Sequence, residues 1–140
     1  MGEAKILGRL KHNNICAIYE LLEAEGGIYL VLERIEGSSL PEWMKSAPSP
    51  SSRLAMAIQI AAAVAAAHAQ GVLHRDLKPG NIVLLHADDD ADFVKVLDFG
   101  LVKSFVEGHE LEGRAITQQG MLMGSPPYMA PEQGERNRSD

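Results

Sequence analysis

Residues 74–84 read HRDLKPGNIVL. Two cations, one carboxylate, a proline, a glycine and an asparagine crowd together just before an apolar run, where a chain folding for stability alone would gain little from so much polar chemistry. Asp76 and Asn81 stand five positions apart on a short loop. Carboxylate and amide oxygens are hard ligands of the kind magnesium accepts, and a carboxylate can also receive a hydroxyl proton. Lys78, between them, can reach a phosphate as a mobile point charge.

Downstream, VLDFGLVK sets a second carboxylate, Asp98, at the end of a strand, with Phe99 and Gly100 behind it. Taken singly, an Asp-Phe-Gly marks a plain strand-to-turn exit. Two acids and an amide at strand ends, with a lysine, describe a site for a metal-bound phosphate.

The rest of the chain bounds this reading. At 140 residues it is one ordinary domain at most, or a piece of a larger one. A hydrophobic share of 46% allows a core. The formal charge of −6 lacks the basic face of a nucleic-acid binder. Cys16, the single cysteine, excludes an internal disulfide, fits a reducing cytoplasmic setting, and reads as a small buried hydrophobe. Met1-Gly2 opens like a myristoylation signal, but Ile6 stands where that signal needs Ser or Thr. The most apolar stretch, LAMAIQIAAAVAAAHAQGVL, is interrupted by Gln59, His68 and Gln70, so it reads as a buried helix and no membrane segment is expected.

The elements can be placed coarsely. Residues 2 to 11 read as a helix with Glu3, Leu7 and Leu10 on one face. From that segment alone, Glu3 is a first-turn glutamate favoured by the helix dipole. Residues 15–35 read as two strands around a turn at AEGG, and a short helix follows near 40 to 45. Ser51 or Ser52 is expected to cap the long Ala-rich helix, and Gly71 to end it. The strands IVLL and FVKVL flank HADDDAD, an acidic turn whose spacing is not that of a calcium loop. Regular patterning fades after Asp98, as in a functional loop or an unfolded tail.

With HRDLKPGN, DFG and the APE of Ala130–Glu132 in that order, the sequence resembles a protein kinase, and in the GSPPYMAPE stretch the bacterial kinases of the eukaryotic type. The resemblance implies an α+β, protein-kinase-like two-lobed fold, incomplete: 1–32 as part of the N-lobe, 33–37 as the hinge and 38–140 as part of the C-lobe. It implies ATP and Mg2+ as cofactors and Ser/Thr-bearing proteins as substrates, and leaves the oligomeric state open. Asp76 would accept or orient the substrate proton, Lys78 would steady the phosphate, and Asn81 and Asp98 would hold magnesium. Leu32 resembles the gatekeeper, the backbones of Glu33 and Ile35 would meet adenine, and Val83 would form part of its floor. Glu3 sits nine residues before His12, as the C-helix glutamate does in such kinases, so the resemblance turns it inward toward a strand lysine. Leu7, His74 and Phe99 would stack as a spine. Asn13 replaces the proline common at that turn. Arg75 would bind a phosphate on the activation segment, with Thr117 as the preferred site, and Ser125 would contact Asp76 and Lys78.

No Gly-rich loop or strand lysine precedes Glu3, and the match stops just after APE. The chain is therefore expected to be the central fragment of a serine/threonine kinase, inactive alone, and the resemblance leaves open a membrane tether on its parent. Two rival readings are a pseudokinase scaffold and an antibiotic-type phosphotransferase. Intact Asp76, Asn81 and Asp98 oppose the first, and Arg75 with GSPPYMAPE opposes the second.

Overall fold

The computed structural model describes residues 10–25, 27–86, 92–99 and 126–132. Strands β1 (Ile18–Ala24) and β2 (Gly27–Leu32) form an antiparallel pair running from Ile18 opposite Leu32 to Ala24 opposite Gly27. After an irregular stretch come β3 (Ser38–Ser39), helix α1 (Leu40–Lys45) and helix α2 (Pro50–His68). A 3-10 turn at Pro79–Asn81 leads into β4 (Ile82–His86), which β5 (Asp92–Val96) follows, and Pro126–Tyr128 forms a second 3-10 turn. β3, β4 and β5 make one antiparallel sheet in that order. Ile15 adds a parallel bridge to Val96, so the chain ahead of β1 runs along the free edge of β5.

Both ends of α2 have local causes. Pro50 takes the first turn, where its fixed φ fits and its missing N–H costs nothing. The cap therefore falls on Ser49, whose Oγ accepts the Ser52 N–H at 3.1 Å, and not on Ser51 or Ser52 as expected. At the other end Gly71 takes φ +75, the left-handed conformation that lets its N–H reach His68 O while Val72 N–H reaches Ala67 O.

Ala63 and Ala67, both fully buried, bring α2 close against the sheet, where Leu84, Val94 and Val96 are also fully buried. Each such large side chain contributes about 1.5–3 kcal/mol over an exposed one. Trp43 closes the core from α1 and donates its indole N–H to Asp92 Oδ2 at 2.7 Å. The expectation of a buried helix holds for one face only: Leu54 and Ile58 are 63% and 60% exposed. The reason is that only the alanine face, with Met56 and Ile60, meets the core. By length and composition α2 is the one helix, among the described residues, apolar enough to cross a membrane. In this fold, however, its alanines and Gln59 are committed to β5.

Candidate active site

The loop between α2 and β4 is organised by a buried imidazole. His74 is 4% exposed and lies against Phe99, ring centroids 4.6 Å apart at 56°. Its Nδ1 accepts the Asp76 N–H at 3.2 Å, so the proton sits on Nε2, which donates to Leu97 O at 2.8 Å. Burial pushes the His74 pKa down, outweighing the Leu97 carbonyl and the carboxylates of Asp76 and Asp98 that pull it up. The ring is thus a neutral tie between the loop and the end of β5. Arg75 and Asp98 take φ +64 and +53, left-handed backbone that costs of order 1 kcal/mol or more and persists only where surroundings impose it.

Asn81, 7% exposed, completes the tie. Its N–H reaches Lys78 O at 2.9 Å, its carbonyl accepts the Leu97 N–H at 2.8 Å, and its Nδ2 donates to Asp76 O at 2.9 Å. With the amide nitrogen so engaged, Oδ1 is the atom left to meet a cation. Asp76 Oδ2 lies 3.2 Å from Lys78 Nζ, both side chains keeping about a third of their exposure or less (26% and 32%). Asp98, the residue after Leu97, is exposed. The four polar residues singled out in the sequence are therefore laced together through His74 and Leu97. No cluster of three His, Cys, Asp or Glu residues occurs among the described residues. One carboxylate and one amide oxygen fit magnesium, which is usually held by few protein ligands, with waters and substrate phosphates completing its shell.

At the end of β5 lies a cavity of about 190 Å3 lined in part by Leu32, Glu33, Ile35, Cys16, Asp98 and Phe99. Val83 stands half-buried in β4 opposite Lys95 and is not among the lining residues. The Glu33 N–H is taken by Ala17 O at 2.9 Å, while among the described residues its own carbonyl meets the weak Cys16 thiol donor at 3.8 Å. The Glu33 carboxylate accepts from Lys95 Nζ at 2.9 Å and from the Ala17 N–H at 3.1 Å. Burial works to raise its pKa, but the Lys95 and Ala17 hydrogen bonds and the Lys95 charge hold it below the usual value. Burial, then the Glu33 charge, pushes the Cys16 thiol up, so it stays protonated.

The protein kinase domain family matches residues 1–139. The chain belongs to the protein kinase family. Among curated relatives it is 37% identical over 132 residues to the serine/threonine-protein kinase Pkn1 of Myxococcus xanthus, a match covering 94% of this chain and 18% of Pkn1. It is 36% identical over 141 residues to pkn3 of the same organism, covering 99% of this chain and 25% of pkn3. The solved kinase domain of Mycobacterium tuberculosis PknI superposes with a TM-score of 0.61 at 27% identity, over 71% of this chain and 40% of that one. Rad53 in complex with AMP-PNP gives 0.62 at 32% identity, over 71% and 27%. The kinase chain thus spans a quarter or less of these curated relatives.

Four residues singled out in the sequence, Glu3, Leu7, Thr117 and Ser125, lie outside the described residues of this kinase chain. Others were not legible as partners. Lys95 is the one charge inside the strand FVKVL, a signal that it has a dedicated partner, though not that the partner is Glu33. Gln59 reads in sequence only as a break in an apolar run, yet its amide bonds to β5 and to Asn14.

Proposed function

We propose that the protein carrying this chain transfers the γ-phosphate of ATP to serine or threonine hydroxyls of other proteins. The observation that supports the reading is the interlock of Asp76, Lys78, Asn81 and Leu97, which groups a carboxylate, an ammonium and an amide on one loop tied to the strand end that Asp98 follows. Phosphoryl transfer needs little covalent help from protein, so positioning and charge neutralisation supply most of the rate.

Asp76, held by His74 Nδ1 at its N–H, orients the attacking hydroxyl and takes its proton. Lys78 faces the transferring phosphate. Asn81 Oδ1 and the Asp98 carboxylate would hold magnesium, which when bound would neutralise phosphate charge. The cavity between Leu32 and Phe99 takes the adenine, with the lightly engaged Glu33 carbonyl available to its amino group. That Rad53 was solved with AMP-PNP supports a nucleotide here. A phosphate near Thr117 is read by Arg75, which orders the activation segment. The identities to bacterial serine/threonine kinases support a protein hydroxyl as acceptor.

The test is phosphorylation of a Ser/Thr peptide by the full-length protein. Asp76→Asn is expected to lower turnover about 10²–10⁴-fold, the usual contribution of general-base catalysis. Unchanged turnover would sink the assignment. Residues 1–140 alone are expected to be inactive, in keeping with the exposed Leu54 and Ile58 on α2.

A further inference from the structure

In its sheet β5 is an edge strand: β4 covers one side, and no strand covers the other among the described residues. That open side is nevertheless bonded from Asp92 O to Val96 O. Asp92 O accepts from Gln59 Nε2 at 3.0 Å, and the Val94 N–H donates to Gln59 Oε1 at 2.9 Å. Val94 O accepts from Asn14 Nδ2 at 2.8 Å, the Val96 N–H donates to Asn14 O at 2.8 Å, and Val96 O accepts the Cys16 N–H at 2.9 Å. The two side-chain amides are themselves joined, Asn14 Nδ2 to Gln59 Oε1 at 2.9 Å. Two side-chain amides and a short piece of backbone, drawn from two distant segments, thus reproduce the ladder a neighbouring strand would make.

This ladder ends at Val96, two residues before Asp98. Beyond it, Leu97 is held on the β4 side by Asn81 O and His74 Nε2. Asp98 then leaves in a left-handed conformation that only its surroundings maintain. Lys78 and Asp76, by contrast, sit on a loop that is tied to β5 at Leu97, beyond the ladder, through His74 and Asn81, and that is also anchored by running on into β4. Loosening the ladder therefore shifts the strand end that aims Asp98 more than it shifts the hydroxyl-binding loop, which has β4 as a second anchor.

We propose that Gln59 and Asn14 are positioning residues for the reaction: as a side-chain splint on β5 they set the place of Asp98 relative to Asn81, and with it the affinity for magnesium. The proposal rests on the catalytic reading above. A splint that merely stabilised the fold would lower activity in proportion to the folded fraction and would leave the magnesium requirement untouched.

The experiment titrates Mg2+ against peptide phosphorylation by the full-length kinase at saturating ATP and, with no peptide and no turnover, against calorimetric binding of Mg2+ to the kinase saturated with a non-hydrolysable ATP analogue; the midpoints below are expected in both. Gln59→Met keeps the length but removes all three bonds, and is expected to raise the Mg2+ midpoint about tenfold with the peptide KM unchanged. Gln59→Glu keeps the oxygen that accepts from Val94 and Asn14 and loses only the donor to Asp92 O, so a smaller rise of about threefold is expected. Asn14→Leu combined with Gln59→Met adds less than the product of the two, because both act on one ladder. If Gln59→Met fails to fold, the Glu variant carries the test, and a raised midpoint at unchanged peptide KM still supports the splint. Midpoints unchanged in the folded variants, with Asp98→Asn inactive, overturn the splint and leave the catalytic reading standing. A fully active Asp98→Asn overturns the catalytic reading itself.

Discussion

Replacing Lys95 with methionine removes the ammonium that the Glu33 carboxylate meets at 2.9 Å, while keeping most of the apolar stem. Two unit charges that close attract by about 5–6 kcal/mol at an effective dielectric near 20, and desolvation cancels most of that. The Lys95 side chain is only 12% exposed and that of Glu33 26%, so screening by water is partial and the pair behaves as a charge-assisted hydrogen bond. Lys95→Met and Glu33→Gln are each expected to cost about 1–2 kcal/mol, and the double variant about 1–1.5 kcal/mol less than their sum. Urea unfolding of the four proteins measures this at pH 7. The sign of the pH effect follows from Glu33, whose pKa is held below its ordinary 4.5. Its contribution is complete above 4.5 and disappears as pH falls through the lower folded value. A coupling within about 0.3 kcal/mol of zero, as exposed ion pairs give, would refute the argument that burial makes this pair count.

Because burial lowers the His74 pKa below its ordinary 6.5, the imidazole contributes stability that is complete above 6.5 and is lost as pH falls below it. Thermal melts between pH 5 and 8 should show that slope. His74→Phe should flatten it, and a slope unchanged in that variant would remove His74 as its cause. Gly37→Ala is expected to destabilise by roughly 2 kcal/mol or more, since a Cβ there would collide with the Leu84 carbonyl of β4, which is locked in its ladder. A urea midpoint like that of the parent would show that the strand gives way more easily than its bonding implies.

How far the site was legible depended on whether its chemistry was local. Asp76, Lys78 and Asn81 lie within one short loop, and Pro79 and Gly80 mark its turn, so ligand chemistry and spacing could be read together. The extent of α2 was also legible, apart from its first residues: the choice of Ser49 as cap turns on Pro50 entering the first turn. Its burial was not, because an alanine-rich run looks alike on every face until a partner selects one.

By itself, then, the order of residues determined the donor groups and their grouping along the chain: a loop with an acid, a lysine and an amide, and a strand ending in a second acid. Those properties depend on neighbours a few positions away. The family resemblance implied that His74 meets Phe99; folding alone decided that the buried imidazole there stays neutral, that Glu33 finds Lys95, and that Gln59 and Asn14 meet along β5. Each of these couples groups separated by 25 to 62 positions or so, and an amide or ammonium carries no mark of its distant partner until packing excludes the water that would otherwise satisfy it.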